Sequence, residues 1–313
     1  MSVDATPAGR SRKRTAPNLV PYVFLAPAVV LFTLVLLVPI GYTAYLSFRK
    51  VKVSGLGLGK GSRKEIFAGL DNYQATFTDP ELWAGALRVL GYGAILLPAM
   101  LLSALLFALL LDAPRTRFAR FGRIAIFLPY AVPSVVASLL WGFLYLPAVS
   151  PLHYVLERFG VEGPDLLGQG SIVGALANIG VWGGVGFNMI VIYTSLRAIP
   201  RELFESARID GCSEWQIAWR IKIPLVTPAL IMTTVFSLIA TLQVFTEPTT
   251  LAPMTNSLSS TWTPLMKIYR DAFVRNDLYS AAATSIVIAG ITLILSFGFL
   301  RAVQNRAFGS EDQ

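Results

Sequence analysis

The sequence predicts an all-α membrane protein with six transmembrane helices, and two features of its composition carry that prediction. Of the 313 residues, 54% are hydrophobic and only 14% are charged, whereas charged residues make up about 25% of an ordinary soluble domain. Six stretches of at least 23 residues contain no Asp, Glu, Lys, Arg or His. A bilayer core needs about 20 apolar residues per helix, so each stretch is long enough to cross it.

The predicted helices follow these uncharged stretches, because a helix pairs nearly all of its backbone polar groups within its own segment. We place them near 22–46, 86–111, 124–147, 171–196, 224–246 and 279–301. A seventh uncharged stretch, 248–266, contains several Pro, Ser and Thr residues, which are typical of a loop. The first helix is expected to stay as an anchor, since its apolar stretch is longer than that of a signal peptide.

The charges between the helices predict that both termini are cytoplasmic. Fifteen Lys and Arg residues then fall in inner segments and ten in outer loops, with Arg88 at a membrane boundary, and such an inner excess is usual. The predicted organisation is a basic cytoplasmic tail over 1–19, a six-helix domain over 20–301 and a cytoplasmic tail over 302–313. The Gly/Lys-rich stretch 54–64 lacks the spacing of a phosphate-binding loop and is expected to be a flexible outer loop.

The chain offers few residues for enzymatic or metal chemistry. It has one cysteine, Cys212, and one histidine, His153, so it lacks the ligands of a Cys- or His-rich metal site. We predict no catalytic residue, no metal and no cofactor. A carrier driven by an ion gradient would commonly hold a carboxylate inside the membrane, but the predicted helices contain none and Glu247 lies just beyond the fifth. An energy source outside this chain is therefore favoured.

Neutral polar and aromatic side chains within or beside the predicted helices are candidates for contact with a solute. Amides, hydroxyls and aromatic faces suit a neutral polyhydroxylated solute, although helix packing uses the same residues. The residues we select for the solute path are Trp141, Trp182, Asn188, Gln243 and Glu247. Glycines at 180, 183, 184 and 186 favour close helix packing or leave room for a solute.

The loop between the fourth and fifth predicted helices, residues 197–224, predicts two short helices joined by a sharp turn. Gly211 stands where a residue in left-handed conformation would end the first helix. Ser213 and Gln216 have the spacing of a capping box that begins the second. We therefore expect a compact helix-turn-helix on the cytoplasmic side.

Three aromatic residues, Phe204, Trp215 and Trp219, are predicted to form an apolar surface on this loop. The two tryptophans are four residues apart and so share a helix face. A large apolar patch usually marks a contact surface. From the residues alone, contact with a partner and contact with the chain's own helices remain equally open.

The segment from Glu205 to Leu225 resembles the EAA motif of permeases from binding-protein-dependent ABC importers. Glu205, Ala207, Gly211 and the Ile221-Lys-Ile223-Pro224 run match the motif, while Ser206 replaces its first alanine. Segments elsewhere resemble the carbohydrate branch that includes the maltose-type permeases. These are Tyr22–Pro27, Pro39–Tyr42, Leu46–Phe48, Leu242–Pro248 and Ile268–Phe273.

This resemblance implies a permease subunit of the cell membrane that imports a sugar or oligosaccharide by alternating access. Its implied partners are a second homologous permease, a cytoplasmic ABC ATPase dimer and an extracytoplasmic solute-binding protein. The loop 197–224 would be the coupling helix seated on the ATPase. The implied coupling residues are Phe204, Glu205, Ala207, Asp210, Gly211, Trp215 and Trp219.

Two alternatives stay open at this point. The importer could carry a non-sugar polar solute, such as a polyol or a glycerol phosphodiester. The chain could instead be a self-sufficient secondary carrier. Nucleic acid is not predicted as a partner, because the net charge of +8 is spread between the apolar blocks and forms no single basic face.

Overall fold

The computed structural model describes residues 20–53, 63–113, 118–161 and 163–307. The predicted tail 1–19, residues 54–62 of the Gly/Lys-rich stretch, residues 114–117 and residues 308–313 lie outside the described residues. The chain divides into two compact units, Met1–Tyr45 and Leu46–Gln313.

The first unit is helical from residue 20 onward. It contains α1 (Val20–Phe32), a π-helical turn (Thr33–Leu37) and the start of α2 (Val38–Ser47). The π turn lies just before Pro39, whose ring removes one N–H group from the helix. The run Val20–Ser47 is long and apolar enough to cross a membrane, in agreement with the first predicted helix.

A short β-hairpin in the second unit corrects the prediction of a purely helical fold. Strand β1 (Arg49–Val53) pairs antiparallel with β2 (Arg63–Phe67). Val51 and Val53 alternate with lysines in β1, which is the period-two pattern of a strand. The flexible loop expected over 54–64 is therefore flanked by paired strands, and its end at 63–64 belongs to β2.

The remaining elements of the second unit are helical. They are α3 (Asp71–Thr78), α4 (Pro80–Asp112), α5 (Ala119–Phe127), α6 (Ser134–Tyr145), α7 (Pro151–Arg158), α8 (Ile172–Ala198), α9 (Glu202–Ile209), α10 (Glu214–Ile217), α11 (Ile223–Leu242), α12 (Thr246–Leu251), α13 (Pro264–Tyr269) and α14 (Leu278–Ala307). Short 3-10 turns cover Leu128–Ala131 and Ala252–Met254, and π-helical turns cover Ala218–Lys222 and Arg270–Val274.

The described residues contain five helices that could cross a membrane, or six if one bent pair counts as a single span. The bent pair lies where a continuous third helix over 124–147 was predicted, so that continuity was wrong. Helix α5 with its 3-10 turn and helix α6 meet at an angle of 97°. Pro133 explains the break, because proline has no N–H group and disfavours helical geometry in the residue before it. Val132 is accordingly extended, with ψ of 128°.

The fifth predicted helix, 224–246, lies within a longer helical run, Glu214–Met254. Its regular part, α11, ends at Leu242, and Gln243 leaves helical geometry with φ of −105° and ψ of 20°. The loop expected over 248–266 is wrong at both of its ends, because α12 and a 3-10 turn occupy Thr246–Met254 and α13 begins at Pro264. Proline is tolerated at the start of such short helical pieces, which is why Pro248 does not prevent them.

The buried core of the second unit lies largely where α4 packs against α8. A Cβ atom at Gly180 would lie 2.7 Å from Leu96, and one at Gly186 would collide with the backbone carbonyl of Ile126. No atom lies within 4 Å of the corresponding position at Gly183. Close packing therefore explains Gly186, whereas Gly183 leaves open space.

We expect Gly186→Val to destabilise the protein, since overpacking against a neighbouring backbone commonly costs about 1–3 kcal/mol. The matched control is Gly183→Ala in the same helix, which should not destabilise the protein, because its Cβ atom would meet open space and alanine favours a helix more than glycine does. Thermal unfolding of the detergent-purified variants measures both effects. Equal melting temperatures for the two variants would contradict this account of the α5–α8 contact.

Candidate functional site

A cavity of about 690 Å³ lies among α4, α8, α11 and the segment that follows α11. The break between α5 and α6 supplies a further wall through Pro129, Tyr130 and Val132. Non-regular backbone at membrane depth is tolerated where it lines a cavity. The ends of α11 and of the 3-10 turn meet that condition here.

Three of the five residues predicted for the solute path line this cavity, namely Asn188, Gln243 and Glu247. Trp141 and Trp182 are not among its lining residues. Their rings meet edge to face at 6.0 Å between centroids, and Trp141 packs against the buried cluster. The two tryptophans therefore serve helix packing, and their selection for the solute path is not supported by the geometry.

Other aromatic residues take the place expected for the tryptophans. Tyr92, Tyr130, Phe187, Phe236 and Phe245 line the cavity. The rings of Tyr130 and Phe187 stack at 5.1 Å between centroids with 22° between their planes. Pro129 and Pro133 flank Tyr130 in the sequence, so the proline pair was the signal that could have identified this break and its aromatic residue.

The amide of Asn188 joins α8 to α11. It donates to the carbonyl oxygen of Gly184 at 2.9 Å and accepts from the hydroxyl of Ser237 at 3.3 Å. One of its N–H groups remains for another partner. Asn188 thus has a packing role, while Gln243 and Glu247 provide polar groups where the regular helix has ended.

The charge of the cavity lining is simple. Glu247 is its only charged residue among those described, and no Lys or Arg belongs to the lining. The other polar groups are hydroxyls and amides, including Ser134, Thr241 and Gln243. The lining can therefore offer hydrogen bonds and aromatic faces to a solute but no cationic group.

The loop 197–224 has the predicted helix-turn-helix form. Gly211 has φ of 82°, its N–H donates to Arg208 and the N–H of Cys212 donates to Ala207, which is the Schellman pattern that ends a helix. Ser213 and Gln216 form the complete capping box of α10. The turn is thus set by local sequence, as expected.

The loop separates its apolar residues into a buried side and an exposed side. Phe204, Ala207 and Ile217 are buried together, so the expectation that Phe204 lies on the surface was wrong. Trp215 and Trp219 are 73% and 63% exposed, and their rings stack at 6.0 Å. The buried side holds the loop together and leaves the tryptophan stack free for contact.

The charged residues of the loop are mostly exposed. Arg208 pairs with Glu214 at 2.7 Å. The hydrogen bond that the Arg208 guanidinium donates to Glu214 raises the pKa of Arg208, against the opposing effect of desolvation. Glu205 and Asp210 are exposed and so accessible to a partner.

A second group of charges lies at the start of α4. The ammonium of Lys267 lies 2.6 Å from Asp271 and 2.9 Å from Asp79. Burial alone would lower the pKa of Lys267, but the hydrogen bonds to both carboxylates outweigh it and the pKa is raised. Burial would raise the pKa of Asp79, but the bonds from Lys267 and the Glu81 backbone outweigh it and the pKa is lowered. These shifts favour the charged forms of both groups.

No group of three or more His, Cys, Asp and Glu residues in the described parts of the chain could hold a metal ion.

Residues 100–309 match the family model described as binding-protein-dependent transport system inner membrane component.

Curated relatives match nearly the whole chain. The chain is 31% identical over 303 residues to the sn-glycerol-3-phosphate transport system permease protein UgpA of Brucella abortus biovar 1 (strain 9-941), covering 94% of this chain and 98% of the relative. It is 29% identical over 290 residues to UgpA of Escherichia coli O157:H7, covering 91% and 94%.

Solved structures have the same fold. A chain of a bacterial ABC transporter involved in the import of the acidic polysaccharide alginate superposes with a TM-score of 0.79 at 20% identity, covering 92% of this chain and 96% of that one. A chain of a bacterial alginate ABC transporter in complex with a pentasaccharide-bound periplasmic protein gives 0.77 at 20% identity, covering 92% and 94%.

Proposed function

The chain belongs to the family of inner membrane components of binding-protein-dependent transport systems, and from this membership we propose that it is one transmembrane subunit of an ATP-driven importer of a neutral sugar or oligosaccharide. A second homologous permease would complete the path, and a periplasmic binding protein would deliver the solute. ATP would be hydrolysed in a separate cytoplasmic subunit, so this chain itself would catalyse no reaction.

The observation that carries the proposal is the exposed tryptophan stack on a compact loop. Trp215 and Trp219 lie on the helical run that α10, the π-helical turn Ala218–Lys222 and α11 form up to Leu242, so a movement of these tryptophans would act directly on α11. Large apolar side chains exposed side by side indicate a contact surface. Movement of an ATPase docked there would be transmitted to α11. Glu205 and Asp210 are exposed on the same loop and accessible to the ATPase.

The cavity lining supports a neutral solute. Two relatives are named for sn-glycerol-3-phosphate and a structural neighbour for an acidic polysaccharide, and both of these solutes carry negative charge. A buried anion needs a cationic partner or several hydrogen-bond donors, and among the described residues no Lys or Arg lines the cavity. Glu247 would moreover repel an anion, whereas Gln243 and Thr241 can bind sugar hydroxyls.

The topology that fits this function has six spans with both termini in the cytoplasm. The bent pair α5 and α6 would form the third span, with its break at Val132 and Pro133 beside the solute cavity. The loop 197–224 would then face the cytoplasm. This arrangement agrees with the excess of Lys and Arg in the inner segments.

A secondary carrier is a weaker alternative. Such a carrier commonly holds its coupling carboxylate inside a membrane helix, whereas Glu247, the one carboxylate of the described lining, lies beyond the end of α11. A polyol remains compatible with the same neutral lining. A glycerol phosphodiester is disfavoured, since its phosphate would meet no cationic group in the described part of the cavity lining.

We expect the double substitution Trp215→Ala and Trp219→Ala to reduce the amount of ATPase that co-purifies with the tagged chain by roughly tenfold or more, because one interface tryptophan commonly contributes about 2 kcal/mol. Phe159→Ala, an exposed aromatic residue outside the loop, is the control and should have no effect. Membrane levels of both variants should match the wild type. Unchanged co-purification of the double variant would contradict docking at this stack.

We expect Gln243→Leu to raise the KM for uptake of a neutral sugar roughly two- to tenfold, because each lost hydrogen bond contributes about 0.5–1.5 kcal/mol. Trp182→Phe should leave KM unchanged, because Trp182 does not line the cavity. Uptake of a panel of labelled sugars identifies the transported solute. Competition by unlabelled neutral and acidic sugars against that uptake shows which class of solute is preferred. Stronger competition by acidic sugars than by neutral ones would refute the proposed solute class.

The orientation is tested by cysteine labelling in a Cys212→Ser background. Ser260→Cys should react with an impermeant reagent in intact cells, and Arg120→Cys should react only after the membrane is opened, since the first lies in an outer segment and the second in an inner one. The reverse labelling pattern would show that the chain is inserted the other way.

A further inference from the structure

Three charged residues from distant parts of the sequence meet where the loop 197–224 joins the long helices. The ammonium of Lys222 lies 2.6 Å from the Asp112 carboxylate, and the Arg197 guanidinium lies 3.9 Å from the other oxygen of Asp112. The side chains of Lys222 and Asp112 are 5% and 7% exposed, and Arg197 is half exposed. Lys222 and Asp112 therefore form a buried ion pair.

A second contact of Lys222 extends this pair into the loop. Its ammonium lies 5.0 Å from the centroid of the Phe204 ring, within the range of a cation–π interaction. Phe204 is itself buried against Ala207 and Ile217. Lys222 is thus held between a carboxylate at the end of α4 and a ring in α9.

This arrangement links the loop to a helix that the chain does not connect to it. Residues 197–224 join α8 to α11 covalently, but α4 ends 85 positions before the loop begins. The Lys222–Asp112 pair supplies a polar attachment between the loop and α4. Buried pairs resist separation far more than exposed pairs, because loss of one partner leaves an unpaired charge away from water.

The far part of α4 forms a wall of the solute cavity. Tyr92, Leu96 and Met100 line it, and Asp112 lies twelve residues beyond Met100, or about 18 Å along a helix. A displacement of the end of α4 would therefore reach the cavity through one continuous helix. The exposed tryptophans and Lys222 lie at the start of the same helical run, with the tryptophans outward and Lys222 inward.

We propose that Lys222 and Asp112 are positioning residues for energy coupling: their buried pair carries movement of the ATPase-docked loop into α4 and so to the wall of the solute cavity. The inference rests on the proposed function, because it assumes an ATPase docked at Trp215 and Trp219. It adds a specific mechanical connection that neither the EAA resemblance nor the exposed surface supplies.

The test uses the complete complex, with both permeases, the ATPase and the binding protein, in proteoliposomes. The rate of ATP hydrolysis and the rate of uptake of the labelled neutral sugar identified with the sugar panel are measured together. The ratio of sugar taken up to ATP hydrolysed is compared between variants. Asp112→Asn and Lys222→Met remove one charge each with little change in shape. Lys222→Arg keeps the charge, and Lys50→Met breaks an exposed pair with Asp71 as the matched control.

We expect Asp112→Asn and Lys222→Met to assemble and hydrolyse ATP while the sugar taken up per ATP falls at least fivefold. Lys222→Arg should recover most of that ratio, and Lys50→Met should equal the wild type. A wild-type ratio in both single variants would overturn the proposal. Failure of both to assemble would also overturn it, because the pair would then be structural only. A wild-type complex without ATP-dependent uptake would instead refute the proposed function.

Discussion

Unpaired charge is costly in the interior of a bilayer, and the aspartates at the two ends of α4 are both paired with lysines. At one end Asp79 meets Lys267, which also binds Asp271. At the other end Asp112 meets Lys222. Between them α4 packs against α8 through apolar side chains and glycine. The helix is thus attached by ion pairs at both ends, and its middle is left neutral to form part of a cavity wall.

The same constraint explains where the cavity lies. Regular helices satisfy their own backbone groups, so space and polarity arise where regularity ends. Proline breaks the helix at Pro133, α11 ends at Gln243, and Gly183 leaves a side-chain volume empty. These interruptions place amide, hydroxyl and aromatic groups around a common space, and no Lys or Arg lies among its described lining residues. A site of this composition is suited to hydrogen bonding with a neutral solute.

Much of this architecture could be predicted from the sequence, because long apolar runs and helix-end signals are local. The long helices near 86–111, 171–196 and 279–301 and the Gly211 turn agree with prediction. Features that depend on three-dimensional contact could not be read in the same way. The sequence predicted Phe204 as a surface residue, whereas Lys222 and Ile217 pack against it. The rings of Trp141 and Trp182 contact each other. The Asp112–Lys222 pair joins residues 110 positions apart, which no local spacing reveals.

In the proposed importer this chain provides a neutral path, and the energy for transport comes from a separate ATPase. The measurement is sugar uptake into proteoliposomes that contain the purified complex. ATP is supplied on the side of the membrane that carries the ATPase, and ionophores collapse all ion gradients. We expect uptake that requires both ATP and the binding protein and that does not change when the gradients collapse. Uptake by this chain alone, driven by a proton or sodium gradient without ATP, would contradict it.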